Sequence, residues 1–169
     1  SDNELVDPRS LVKTRAQAHC QRAHAYLELQ QHDAAQADYR ISEQAYRSLV
    51  AARPKDVVTL ERLAATYYFL GRSLNESSRL ADAVDAYASA ADHYATLLKI
   101  APTDSRRDRA AKSLFWRACL KLRQLGDGAP TADYQAVAGM LQRAAELDPD
   151  DENIRAYLHS LNERVRSAH

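Results

Sequence analysis

Apolar residues along this chain recur every three or four positions over long stretches, and short polar segments with proline interrupt them. That period belongs to amphipathic helices, since the apolar positions of a half-buried strand alternate. The pattern predicts helices near 9–30, 33–52, 57–76, 79–100, 105–125, 132–147 and 152–167. Arg53-Pro54-Lys55-Asp56 and Ala101-Pro102-Thr103-Asp104 read as stops, because proline ends one helix and the aspartate caps the next. Gly126-Asp127-Gly128-Ala129-Pro130-Thr131 reads as a longer connection with Thr131 as cap, and Asp148-Pro149-Asp150-Asp151 as the last break. Beyond it, Ile154, Tyr157, Leu158, Leu161 and Val165 form one apolar stripe, with Arg155, Glu163 and Arg166 largely off it. Such a helix suits the end of an array, where it covers the flank of the preceding elements.

Sliding the chain against itself by 48 positions pairs Ala16 with Ala64, Glu28 with Glu76, Ala35 with Ala83 and Tyr39 with Tyr87. The same offset pairs Tyr46 with Tyr94, Leu49 with Leu97, Pro54 with Pro102 and Asp56 with Asp104. Coincidences concentrated at one offset indicate a repeat. The organisation expected is a polar lead-in at 1–8 and one domain at 9–169. Within it lie units near 9–54, 55–102 and 103–149 and a capping helix at 152–167.

The second unit reads Tyr67-x-x-Leu70-Gly71-x-x-Leu74, then Ala83-x-x-x-Tyr87, Ala90 and Pro102. This resembles the tetratricopeptide repeat signature. The first unit carries Ala23, Tyr26, Ala35, Tyr39 and Pro54. The third carries Phe115, Ala118, Cys119 and Leu122, then Val137, Leu141, Ala144 and Pro149. The small residues Gly71 and Ala83 are expected to let paired helices approach, with Tyr67, Leu74 and Tyr87 filling the space around them. The period departs from the usual value of about 34. The excess matches two further turns on each helix. His19 and Arg22 stand where unit two has Tyr67 and Leu70, so unit one reads as a frayed or end-capping repeat. The resemblance implies an all-α, right-handed superhelical array of antiparallel helix pairs, a tetratricopeptide-like α-solenoid of three hairpins plus a capping helix. Long-helix arrays of this kind resemble those attached to bacterial signalling or effector domains.

The resemblance also implies a concave groove lined by the first helix of each pair and holding a protein or peptide. Register carries this to Gln17, Cys20, His24 and Leu27, to Ala65, Tyr68, Arg72 and Asn75, and to Ser113, Trp116, Leu120 and Arg123. In this set Tyr68 or Trp116 stacks an apolar anchor while Arg72 or Arg123 fixes a carboxylate. The competing reading packs Tyr68 and Trp116 against neighbouring helices. Chains that clamp a C-terminal carboxylate use a denser set of Lys and Asn, so that ligand is not expected.

Composition narrows the alternatives. Lys plus Arg equals Asp plus Glu at 23 each, so no global field attracts nucleic acid or an anionic membrane. No apolar run has the length of a membrane span, and the N-terminal residues lack a signal pattern. Cys20 and Cys119 read as reduced packing residues of a cytoplasmic protein. His24, Glu28 and His32 share a helical face at metal-ligand spacing, but a solvated face accounts for the trio. His93 reads as a packing or surface residue. Ser105-Arg106-Arg107-Asp108-Arg109 reads as a helix start with mutually compensating charges. No phosphate loop, HExxH or nucleophile motif is present, so neither an enzyme nor a cofactor is expected. A protein-interaction scaffold is expected instead. The alternative is an assembly module whose flanks pair with another domain or a second copy, which leaves homo-oligomers open.

Overall fold

The computed structural model describes residues 7–126 and 129–167, which contain seven α-helices and no strand. These are α1 (Pro8–Glu28), α2 (His32–Ala52), α3 (Val57–Glu76), α4 (Leu80–Ile100), α5 (Asp104–Gln124), α6 (Thr131–Leu147) and α7 (Glu152–Ser167). Side-chain oxygens satisfy the orphan amides that open several of them. Asp7 accepts from the Arg9 amide, with Pro8 in the first turn. Asp56 accepts from the amides of Val58 and Thr59, and Asp151 from those of Asn153 and Ile154. Two expected caps are corrected. Thr103, not Asp104, caps α5 by accepting from the Arg106 amide, and Asp104 is the first helical residue. Thr131 likewise opens α6 from inside, after Pro130, and makes no capping bond. Asp127 and Gly128 of that connection lie outside the described residues, as do residues 1–6 of the lead-in.

The turns inside the first two pairs share one geometry. Gln30 and Ser78, 48 positions apart, have φ of 58° and 63°. The following amides reach back five residues, Gln31 to the Tyr26 carbonyl and Arg79 to the Leu74 carbonyl. This is a Schellman helix stop, made here without the usual glycine. A β-carbon in that conformation costs about 1 kcal/mol.

Contacts fix the direction of each neighbour. On α3 and α4, Gly71 meets Tyr87, Tyr67 stacks on His93 with centroids 5.5 Å apart, and Leu60 clusters with Leu97. Ascending numbers on one helix meet descending numbers on the next, so the pair is antiparallel. Between α2 and α3 the same order holds, with Tyr67 Oη donating to Glu43 and Gln36 Nε2 to Ser77 Oγ. Each helix packs chiefly on the one before and after it, and α1 also touches α3. The result is a helical-hairpin solenoid with α7 closing one flank. Ile154 and Leu161 are buried there, while Tyr157 sits at the rim of the stripe, 48 % exposed.

The core runs along the second helices. Tyr39, Tyr46, Tyr87 and Tyr94 are all 2 % exposed or less. A β-carbon on Gly71 would lie 3.1 Å from the Tyr87 ring, so glycine sets how closely α3 and α4 approach. Leu74 joins Tyr87 in that cluster, whereas Tyr67 packs with Tyr46 and Leu63. Unit one is not frayed. His19 Nδ1, 2.9 Å away, and Arg22 Nη2, 2.7 Å away, grip the buried Asp38 carboxylate of α2. The Arg22 hydrogen bonds hold that carboxyl below the usual carboxylate range.

A candidate partner-binding groove on the first helices

Two adjoining cavities lie along α3, bounded by the other first helices, α1 and α5. One, of about 450 Å³, is walled by Tyr68, Phe69, Arg72, Asn75 and Trp116, with Tyr87 among its further residues. The other, of about 470 Å³, is walled by Cys20, His24, Arg62, Ala65 and Phe69, with Tyr94 behind them. Phe69 and Arg109 belong to both walls, which makes the two cavities one groove with a ridge between them.

Aromatic groups form much of its surface. Tyr68 stands edge-on to Phe69 and to Tyr87, with centroids 5.4 and 5.5 Å apart. Trp116 is 38 % exposed and touches Phe115. Tyr68 thus packs on the core ring of Tyr87 and also lines the cavity. The His24 ring lies 4.3 Å from Phe69, and its Nδ1–H donates to the Cys20 carbonyl at 2.6 Å. Cys20 Sγ lies 3.8 Å from the same nitrogen, and burial raises its thiol above the usual value. Of the other residues sharing the His24 face, Glu28 approaches Arg72 at 3.7 Å and His32 approaches Glu76 at 3.8 Å. Cys119 is buried, which pushes its thiol up to about 11.

Most charges in the groove are already paired. Arg72 Nε donates to Glu76 at 2.8 Å and the same guanidinium faces Glu28. Arg123 Nη1 donates to Asn75 Oδ1 at 3.2 Å, and Lys112 pairs with Asp108 at 2.6 Å. Arg106 leaves its own helix to bond Glu61 at 2.8 Å. Arg109 differs, because its guanidinium lies over the Tyr68 and Phe69 rings at 5.9 and 5.8 Å. No carboxylate among the described residues lies within ion-pair distance of it. The charge run 105–109 is thus not self-compensating as expected. Arg107 pairs locally with Asp104, Arg106 pairs with another helix, and Arg109 projects into the groove.

The structure brings Tyr68, Arg72, Asn75 and Trp116 to one cavity and His24 to the adjoining one, with Arg123 tied to Asn75. Leu27, Ser113 and Leu120 are corrected from groove to core, at 3, 0 and 1 % exposed. For Ser113 and Leu120 on α5 the cause is register, whereas Leu27 on α1 packs into the cluster of Tyr39 and Leu74. Thr66 Oγ1 bonds the Arg62 carbonyl and Ser113 Oγ the Arg109 carbonyl, so α5 repeats α3 at 47 positions, not 48. Arg109 is then the counterpart of Arg62 and Trp116 that of Phe69, and both Phe69 and Arg109 escaped the 48-residue register.

No family model matches the chain, and no curated protein does. A solved structure, the first tetratricopeptide domain of Spaghetti (RPAP3) bound to an HSP90 peptide, aligns with a TM-score of 0.42 and 14 % identity. The alignment covers 91 % of this chain and 95 % of that one. A likeness of that size assigns neither family nor ligand.

Proposed function

We propose that this protein is an interaction scaffold that holds a peptide or protein partner in the groove of α1, α3 and α5. The observation that carries the reading is the gathering of His24, Tyr68, Arg72, Asn75 and Trp116 along two adjoining cavities, with aromatic faces left accessible. Accessible aromatics beside arginines are the composition of interaction hot spots. Arg72 and Arg123 hold the groove's shape through Glu76, Glu28 and Asn75, which frees Arg109 to meet a partner's charge. A placement in the cytoplasm accords with two unpaired thiols, and no described helix is long and apolar enough to cross a membrane.

The test is affinity capture from source-cell extract with the native chain and with a Tyr68→Ala, Arg72→Ala, Trp116→Ala variant whose circular dichroism matches it. A partner held by the native chain and lost by the variant supports the reading. Equal retention by both moves the working surface elsewhere. The assembly reading has its own observation, a cavity of about 390 Å³ bounded by Leu122, Ala156, Tyr157 and Leu161 beside the last helix. Light scattering that finds only monomer at high concentration contradicts self-association through it.

A further inference from the structure

The ridge between the two cavities narrows the chemistry of the partner, on the basis of the groove reading above. Arg109 is half-buried, its guanidinium carbon 5.9 and 5.8 Å from the Tyr68 and Phe69 ring centroids, and it is without an ion-paired carboxylate among the described residues. Arg62, one α3-to-α5 register step away, lines the second of these cavities and has no ion pair among the described residues either. A cation held over aromatic faces and partly stripped of water gains most from a carboxylate that completes its hydrogen bonds. A second observation points the same way. Tyr94 is 2 % exposed, shares a cavity wall with Arg109, and its hydroxyl has no hydrogen-bond partner among the described residues. It is not sealed from solvent, since it is not among the buried polar atoms lacking a bond. Buried tyrosines ordinarily find a partner. Arg109 also acts on the Tyr94 hydroxyl, opposing the burial that lifts it to about 12.

We infer that the groove takes an internal segment of a partner protein with an apolar–acidic–apolar core, its Asp or Glu on Arg109 and its flanking apolar side chains in the two cavities. Charge complementarity selects the acid. The cavities lie on both sides of Arg109, one toward the first half of α3 and one toward the second, so the bound chain continues past the ridge in both directions. A C-terminal carboxylate seated on Arg109 leaves one cavity empty.

The experiment is selection of random twelve-residue peptides, coupled to resin through their C-termini, on the full chain. Selected sequences are then made as C-terminal amides and titrated by fluorescence anisotropy. The expected result is an enriched apolar–acidic–apolar core. Affinity should fall roughly tenfold or more on Arg109→Gln, with a similar loss when the peptide acid becomes the amide. Arg109→Lys should recover part of the affinity, because it keeps the charge and loses the fork. Matched circular dichroism and urea midpoints show that each variant is folded. Peptides that lose binding on Tyr68→Ala yet carry no acid, or are indifferent to Arg109→Gln, overturn this inference and leave the groove reading standing. So does binding that appears only in a parallel titration of the same sequences made with a free C-terminal carboxylate. Peptides indifferent to Tyr68→Ala and Trp116→Ala, or no selected peptide, overturn both.

Discussion

Two sets of aromatic residues divide the molecule. Tyr39, Tyr46, Tyr87 and Tyr94 sit on the second helices, α2 and α4, and are almost fully buried. Tyr68, Phe69 and Trp116 sit on the first helices, α3 and α5, and line open cavities. Residue type does not separate them. What does is the face each occupies: the second-helix tyrosines lie where two neighbouring helices converge, while the first-helix rings lie one step round, beside residues such as Leu70 and Ser73 that fill the core. The core set fixes spacing, and the groove set rests on it, as the Tyr68 contact with Tyr87 shows.

This division has measurable consequences, the largest in the core. Tyr87→Ala should lower unfolding free energy by about 3–5 kcal/mol, as truncation of buried rings does. Gly71→Leu attacks the same contact by crowding and should cost roughly 1–3 kcal/mol. Urea denaturation measures both, and a change within 0.5 kcal/mol at Tyr87 (~0.5 is the ordinary surface effect) would place that ring outside the core.

The Asp38 clamp comes next. Its carboxyl is held low in the folded state, so its contribution is complete above the unfolded value of about 4 and disappears as pH falls through the lower folded value. Asp38→Asn should therefore cost on the order of 1 kcal/mol at neutral pH and flatten the acid limb of the stability profile. An unchanged acid limb contradicts the clamp.

Ser78→Gly should act in the opposite direction. It relieves the positive φ at that turn and should stabilise the chain by about 0.5–1 kcal/mol, read from the urea midpoint. Smallest of all, Trp116→Ala should change stability by about 0.5 kcal/mol or less while weakening partner binding. A loss of stability as large as that at Tyr87 would erase the distinction between the two aromatic sets.

Much of the architecture was legible because helices write a strong period into sequence. Pro54, Pro102 and Pro149 marked the breaks, and the tyrosines at 39, 46, 87 and 94 marked the repeat. The turns at Gln30 and Ser78 were not legible, since neither residue advertises a positive φ. The cap at Thr103 and the groove positions on α5 were displaced for one reason, a single-residue slip between α3 and α5 that the 48-residue match of the second helices concealed. Arg109 was hidden differently. In sequence it is one cation in a charged helix start, and only the helix packing shows that its neighbours' charges are used elsewhere.

Trp116 is the chain's one tryptophan, so its emission reports on the groove without a label. The most direct measurement is that emission, with acrylamide quenching, as the partner captured from extract is titrated under conditions where independent anisotropy shows saturation. For a partner with no tryptophan of its own, or one labelled to silence it, the account predicts a blue shift and protection from quencher as the groove closes over the indole. Saturation with no change in emission or quenching would contradict it, and place the working surface away from α3 and α5.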